Sequence, residues 1–311
     1  MEISIVVCTY DRLDSLKKTL ASFAGMRIPP GLSWQVVIVD NNSPYDVKSV
    51  VEEFGFKNNV NVKYILESKQ GKCNALNSGI KAADGGIIAF TDDDNVVDKE
   101  WIAIIWREFE HRNPACIGGK ILPIWEKPPP SWLRKEIYNC IVLLDLSPET
   151  IQLREPMIYG CNMAIRKSII LDSGLFNVKK GPIPGKTWGG EEVELLELIL
   201  KRGGAVYYCP DMLVHHCIPL KRMQKAYYRK WKYDSGEFTA LHLGEYKYRN
   251  ILEIPLYAFK NITKSLFGYL FKLITSPCNS FYAQLALIKD IGFIIGRIRY
   301  KKLYELTHKL Q

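Results

Sequence analysis

Three consecutive carboxylates, Asp92-Asp93-Asp94, end the apolar run Ile87–Phe90. No core buries three adjacent charges without partners, so they belong at a strand's end, facing solvent or a cation. Carboxylates this close repel one another, and a hard divalent ion such as Mg2+ or Mn2+, which prefers oxygen ligands, relieves the repulsion. An acidic turn with Asp94-Asn95 opening the next helix is the plainer alternative. A second acidic group, Glu191, Glu192 and Glu194, opens a helical segment that stops at Arg202-Gly203-Gly204. Acidic residues there favour the positive end of the helix dipole, by about 0.3–1 kcal/mol each. One of them, held at a helix start beneath a loop, is equally placed to act as a general base. His215 and His216 stand together in a chain with five histidines, which suits a metal or phosphate role. Successive residues of an extended segment face opposite ways, so one of the two is expected to take part.

The elements that must position these groups begin at residues 3–8, a β-branched run expected to be a strand covered on both faces. Leu13, Leu16, Leu20 and Phe23 then recur at helical spacing. The unit repeats three times: a strand at 35–39 and a helix carrying Val47, Val50, Val51 and Phe54; a strand at 60–66 and a helix carrying Ala75, Leu76, Gly79, Ile80 and Ala83; a strand at 87–90 and a helix near 98–111 with Trp101, Ile105 and Phe109 inward. Four such units predict a parallel sheet wound by right-handed crossovers. Ligands bind such sheets at the strands' carboxyl ends, where the polar clusters 9–12, 40–43, 67–72 and 91–95 all fall. There is no Gly-x-Gly-x-x-Gly after the first strand and no P-loop, so a dinucleotide-binding protein or P-loop ATPase finds no support.

From 116 the alternation lapses. A strand is expected at 116–122, no regular structure around Pro128-Pro129-Pro130, and a strand or turn at 159–165 that presents Asn162 among apolar residues. Residues 172–190 form a Gly/Pro loop long enough to act as a lid, ending in Trp188-Gly189-Gly190. A last strand is expected at 205–209.

At 311 residues the chain holds one large domain, or one domain and an appendage. Apolar and charged fractions of 47% and 24% exclude wholesale disorder. The net charge of +9 is uneven: residues 219–311 carry 17 Lys/Arg against 6 Asp/Glu, and the rest 25 against 27. Eight cysteines without a Cys-x-x-Cys pair suggest reduced, buried thiols of a cytosolic protein, not a disulfide frame or a zinc site. No basic-then-apolar leader and no run of about 18 apolar residues is evident, so neither a secretory signal nor a membrane span is expected.

Taken in order, the motifs Val6-Val7-Cys8-Thr9-Tyr10-Asp11-Arg12, Val37-Ile38-Val39-Asp40-Asn41-Asn42-Ser43, Gly71-Lys72-Cys73-Asn74-Ala75-Leu76-Asn77, Thr91-Asp92-Asp93-Asp94, Tyr159-Gly160-Cys161-Asn162, Gly190-Glu191-Glu192 and His216-Cys217-Ile218-Pro219-Leu220-Lys221-Arg222 resemble the family-2 nucleotide-sugar glycosyltransferases of the GT-A fold. The resemblance spans residues 3–222. It implies an α/β, Rossmann-like, mostly parallel sheet flanked by helices, with a catalytic domain at 1–220 and a C-terminal helical extension at 221–311. It further implies that Thr9, Tyr10, Asp11, Arg12 and Asp40 hold the donor's base and ribose, that Lys72, Asn77 and Asp92 lie near the nucleotide, and that Asp94 coordinates Mn2+ or Mg2+ with Asp93 as an assistant. His216 and Arg222 would complete the metal and diphosphate contacts, and Asn162, Trp188, Gly189 and Gly190 would form the acceptor side and lid. Glu192 stands where the family usually has the Asp base of a Glu-Asp pair, which leaves Glu191 or Glu192 as the base. The activity implied is inverting transfer of a sugar from a nucleotide-diphosphate sugar to a glycan or lipid-linked acceptor. Gln224-Lys225-Ala226-Tyr227-Tyr228-Arg229-Lys230-Trp231 departs from the Gln-x-x-Arg-Trp signature of processive members, so single-sugar addition is expected.

The basic third mixes Lys221, Arg222, Lys225, Arg229, Lys230 and Lys232 with Tyr227, Tyr228, Trp231 and Tyr233, and continues into apolar segments 254–259, 266–274 and 281–298. Two readings are open: interfacial helices on an anionic membrane surface, or an ordinary helical subdomain with solvated lysines and arginines. The first places the protein in the cytoplasm, peripheral at the inner face of the membrane. Nucleic acid is not expected as a partner, because carboxylates at the sheet's ligand edge repel phosphate. A nucleotidyltransferase lacks its Gly-rich loop after the first strand, and a non-catalytic sugar-binding protein is the remaining alternative.

Overall fold

The structure is a computed structural model that describes residues 1–178, 190–243, 249–251 and 254–308. The chain divides into two units. The first draws its described residues from Met1–Glu126, Ile141–Ile183 and Gly189–Ile218, and the second from Lys127–Cys140, Pro184–Trp188 and Pro219–Gln311.

In the first unit β1 (Ile3–Thr9), α1 (Leu13–Ala24), β2 (Trp34–Asp40), α2 (Val47–Asn58), β3 (Val62–Leu66), α3 (Lys72–Ala82) and β4 (Ile87–Thr91) alternate as the apolar periodicity predicts. They continue through β5 (Asn95–Val97), α4 (Trp101–Arg112), β6 (Cys116–Trp125), β7 (Ile151–Leu153), β8 (Asn162–Arg166), α5 (Lys167–Asp172), α6 (Glu191–Lys201) and β9 (Val206–Ile218). All nine strands join one sheet, in the order β3-β2-β1-β4-β8-β6-β9-β5, with β7 on β9. The pairs β3-β2, β2-β1 and β1-β4 are parallel, as expected of crossover units. Beyond β4 the pairing is mixed: β8 runs antiparallel to β4 and β6, whereas β6 and β9 are parallel.

Strand residues alternate between two apolar layers because successive side chains point to opposite faces. Ile3, Ile5, Val7, Val36 and Ile38 pack under α1, α2 and α4. Val6, Val37 and Val39 pack under α3 and α6 on the other face. With both faces covered, only the strand ends are open to a ligand, and the chain order reverses at β1, between β2 and β4. The crevice at such a reversal is where sheets of this kind bind ligands. Thr9 ends β1, Asp40 ends β2 and Asp92 follows β4.

The last strand is longer than the 205–209 expected, because it continues through Pro210 and Asp211 to Ile218. The irregularity lies in β9: Gly119 and Ile121 of β6 flank one residue, while their partners Cys209 and Val214 flank four. A Cβ on Gly119 would lie 1.8 Å from the Met212 carbonyl oxygen, so no other residue fits there. The extension pairs β9 with β5, opposing His216 to Asn95.

The second unit is built on α7 (Lys225–His242), α8 (Leu256–Thr275) and α9 (Pro277–His308). Glycines let α7 and α9 touch backbone to backbone: a Cβ on Gly292 would meet the Tyr233 oxygen at 2.2 Å, and one on Gly236 the Lys289 oxygen at 2.0 Å. Trp132, from the proline-rich stretch, stacks edge-on against Tyr228 and Phe281, each ring 5.3 Å away. Among the described residues no helix is long and apolar enough to cross a membrane.

Candidate active site

Most of the expected polar residues converge on the carboxyl edge of β1, β2 and β4, within the first unit. The three aspartates do not share one environment. Asp93 is buried, accepting from the Thr9 hydroxyl at 2.8 Å and from Arg12 Nη1 at 3.2 Å. Burial pushes its carboxyl up to about 6; Arg12 opposes the shift and Asp94 adds to it. The two oxygens of Asp93 anchor the Thr9–Arg12 loop. Asp92 and Asp94 are partly exposed on either side of it. Arg12 also contacts Asp94, at 3.0 Å.

Strand alternation separates the histidines, as expected. His216 is buried with Nε2 3.6 Å from Asp94 Oδ2, while His215 pairs with Val96 of β5 and faces the other way. Two ligands that each lie about 2.1 Å from one ion are at most about 4.2 Å apart, so Asp94 and His216 fit a shared divalent cation. Among the described residues no group of three or more His, Cys, Asp or Glu is arranged to hold a metal by itself. A two-ligand site is the ordinary arrangement for a hard cation whose remaining positions are taken by water and substrate phosphates.

The second carboxylate group lies across Lys72. Lys72 Nζ is 3.0 Å from Glu191 and 3.3 Å from Asp92. It starts α3 after Gly71, whose φ of 128° is a left-handed conformation that glycine permits. Burial alone would lower the Lys72 pKa, but Asp92, Glu191 and Glu192 outweigh it and hold the ammonium charged. Glu191 and Glu192 are both buried at the start of α6, and they behave differently. Burial disfavours the Glu191 carboxylate, but Lys72 and nearby backbone N–H groups more than compensate, and its pKa falls. Glu192 is pushed up to about 7, first by burial and then by the charge of Glu191. A cleft lined by Cys8, Lys72, Asp92, Gly160, Glu191 and Glu192 brings the two acidic groups together.

Other expected residues take different places. Asp40 is buried, accepting from Tyr64 Oη at 2.9 Å and from the Ser43 N–H at 2.8 Å, so it shapes the loop after β2. Tyr10 is exposed, and Asp11, at φ 54°, donates its N–H to Ser43. Asn77 spends its amide on Phe176, donating to the carbonyl at 2.9 Å and accepting from the N–H at 3.0 Å. These bonds tie α3 to the segment after α5. Asn162, expected on the acceptor side, lies in the interior of the first unit. It is fully buried, accepts from Trp101 Nε1 at 2.8 Å, and donates to the carbonyls of Lys120 and Met212. Gly190 precedes α6 at φ 148°, where glycine permits the turn. Trp188 and Gly189, with most of the proposed lid, lie outside the described residues. Arg222 belongs to the second unit, in the 3-10 turn Leu220–Met223.

Asn41 was not singled out by the sequence argument, yet it holds the loop that delivers Lys72. Its side chain accepts from the Gly71 N–H at 2.8 Å and donates to the carbonyls of Glu67 and Lys69. Its position in the polar cluster after β2 was the available signal. All eight cysteines are free thiols, five of them buried.

A parallel half-sheet ending in an acidic, switch-point crevice, continued by a mixed half that brings a histidine and a second carboxylate pair to the same unit, is the GT-A architecture of the glycosyltransferases. The profile described as "Glycosyl transferase family 2" matches residues 4–174, and the chain belongs to that family. Its α6 and the histidines of β9 fall beyond the matched stretch. The chain is 24% identical over 245 residues to the succinoglycan biosynthesis protein ExoM of Rhizobium meliloti, covering 79% of this chain and 76% of that protein. It is 25% identical over 220 residues to the glucosyl-dolichyl phosphate glucuronosyltransferase of Haloferax volcanii, covering 70% and 69%. Among solved structures, S. aureus TarS 1-349 aligns over 100% of this chain and 92% of its own at TM-score 0.53 and 15% identity. The mannosyltransferase PcManGT of Pyrobaculum calidifontis, in complex with GDP-Man and Mn2+, aligns over 94% and 87% at TM-score 0.61 and 14% identity.

Proposed function

We propose that this family-2 glycosyltransferase moves a sugar, with inversion, from a nucleoside-diphosphate sugar to a glycan or lipid-linked acceptor, and depends on a divalent metal held by Asp94 and His216. The single observation that carries this reading is the pairing of Asp94 with His216 at the carboxyl edge, in the same unit as a buried glutamate whose pKa is near neutrality. A carboxylate and imidazole together suit Mn2+ better than Mg2+, which demands oxygen ligands. When bound, the metal neutralises charge growing on the leaving diphosphate.

The protein's own groups do the rest. The Thr9–Arg12 loop, fixed through Asp93, and the Asp40-shaped turn cradle the base and ribose. Lys72 adds a fixed positive charge beside Asp92, on the nucleotide side of the cleft. Glu192 is the base: it takes the proton of the acceptor hydroxyl as that oxygen bonds to the anomeric carbon, while the bond from that carbon to the phosphate oxygen breaks. A base that titrates near 7 suits this role, because it is ionised at working pH yet avid for a proton. Glu191 holds Lys72 and, through its charge, sets the basicity of Glu192. The dolichyl phosphate in one relative's name and the basic second unit support an acceptor at an anionic membrane surface, with the protein peripheral at its cytoplasmic face.

The test is release of nucleoside diphosphate from a panel of nucleotide sugars with Mn2+, Mg2+ or EDTA, with and without lipid and glycan acceptor extracts, followed by NMR of the product's anomeric centre. Acceptor- and metal-dependent release from one nucleotide class, with inversion, is expected. Donor binding without turnover in any combination, together with indifference to Glu192→Gln, would leave a sugar-binding protein instead.

A further inference from the structure

Among the described residues, the second unit leaves an apolar surface uncovered along α8. Of the three apolar segments expected to be interfacial, the one at 281–298 is largely used within the unit: Phe281 and Leu285 are buried, Gly292 and Gly296 meet α7, and Arg297 reaches the Ala240 carbonyl. The helix α8 differs. Only Ala258 is buried along it, and Ile262, Ser265 and Tyr269 are half-buried. At 100° per residue these four fall on one narrow stripe. Beside it, Phe259, Leu266, Leu270, Ile274, Phe267 and Phe271 form a second arc. Phe267, Phe271 and Ile274 are 67%, 62% and 85% exposed, far more than scattered surface apolar residues require.

What would cover this arc is indicated by charge. At 100° per residue Lys260 falls within the arc's edge, between Phe267 and Phe271, Lys264 borders it and Lys272 lies on the remaining face, and no Asp or Glu occurs between Ile254 and Lys289. The second unit as a whole is strongly basic. An apolar arc on a helix whose only charged residues are cations is the pattern of a helix that lies in the plane of an anionic bilayer, with its aromatic residues in the acyl boundary and its snorkelling lysines among the headgroups. The helix does not meet the length and apolarity needed to span.

We infer that α8 is an in-plane lipid-binding helix that docks the second unit on an anionic membrane surface through Phe267, Phe271 and Ile274, with Lys260 and Lys264 on its headgroups and Lys272 adding positive charge near the surface. This deepens the membrane-side acceptor of the proposed function and rests on it only for its purpose.

The test is flotation of the full chain with vesicles of phosphatidylcholine alone or mixed with phosphatidylglycerol, for wild type, Phe267→Glu/Phe271→Glu and Lys260→Gln/Lys264→Gln/Lys272→Gln. These side chains are exposed, and unchanged circular dichroism checks the fold. Wild type is expected to float with the anionic vesicles only, and the Phe variant to remain at the bottom. The Lys variant should bind about 100-fold more weakly, from about fivefold per lysine. Wild type that stays at the bottom, or variants that float equally, overturns the inference. So does a concentration-dependent dimer, seen by light scattering and lost in the Phe variant without any flotation, because the arc then covers a second copy. Nucleotide-dependent thermal shifts measured on the same samples report the donor site separately, so failure at the membrane is distinguishable from failure of the transferase reading.

Discussion

Replacing Glu192 by glutamine should stabilise the fold while stopping the reaction. Glu192 is 8% exposed, and its carboxyl is pushed from the ordinary 4.5 to about 7 by burial and by Glu191. In the unfolded chain it ionises near 4.5, whereas in the folded protein it keeps its proton until about 7. Between these values ionisation favours the unfolded state, so stability is lost as pH rises from 4.5 to 7, and the loss is complete above 7. The shift corresponds to about 3 kcal/mol as an upper limit, reduced because glutamine keeps only part of the bonding from the backbone N–H groups of Gly160 and Glu192. Melting curves of the Glu192→Gln variant should therefore match wild type at about pH 4 and lie several degrees higher at about pH 8. In transfer assays the same variant should lose about 10²–10⁴-fold in kcat. Wild-type kcat/KM should rise with pH through about 7, as a base must be ionised to act. Glu191→Gln removes the second cause of the shift and should move that limb to lower pH. Glu192→Gln activity within about fivefold of wild type, an unmoved limb in Glu191→Gln, or no pH-dependent stability gain would refute the assignment.

Other consequences concern the metal edge and the scaffold. Arg12→Met should tighten Mn2+ binding in the absence of nucleotide by about tenfold or more, read by titration calorimetry. The cation 3.0 Å from Asp94 stands about 5 Å from an ion bound about 2.1 Å beyond that carboxylate and repels its two charges by about 1.6 kcal/mol even at the dielectric of water. Asn162→Ala should lower stability by about 3 kcal/mol or more, since it strands the Trp101 N–H and two carbonyls in the interior, without abolishing nucleotide binding at matched temperature; denaturant melts and calorimetry check both. Gly292→Ala should destabilise the second unit, because a methyl 2.2 Å from the Tyr233 oxygen forces α7 and α9 apart; proteolysis confined to 219–311 is the expected sign.

The first half of the sheet is readable because each strand there is a local apolar run followed by a helix of clear period, and both layers follow from alternation along β1 and β2. The acidic edge is readable for the same reason, since three charges cannot continue a buried strand. The second half is not, because its pairing joins segments far apart in sequence. Pro210 and Asp211 break the apolar pattern of β9, and only its pairing with β6 and β5 shows that the strand continues to His216. Asn77 and Asn162 look like presented polar residues in the sequence, yet their partners lie 99 residues away at Phe176 and 61 away at Trp101. The division of labour between Glu191 and Glu192 depends on which of them Lys72 reaches, a matter of packing. The lysines and aromatic residues of α8 are visible in the sequence, but the packing of Ala258, Ile262 and Tyr269 shows which side remains open.

The most direct measurement of the central claim is thermal stabilisation of wild type and Asp94→Ala by a panel of nucleoside diphosphates and nucleotide sugars, each with Mn2+, Mg2+ or EDTA. A ligand that binds only the folded state raises the melting temperature. A shift with one nucleotide class that requires metal and vanishes in Asp94→Ala is the predicted result, and it would name the base of the donor. An equal shift in Asp94→Ala, or one unaffected by EDTA, would contradict the metal site at Asp94 and His216.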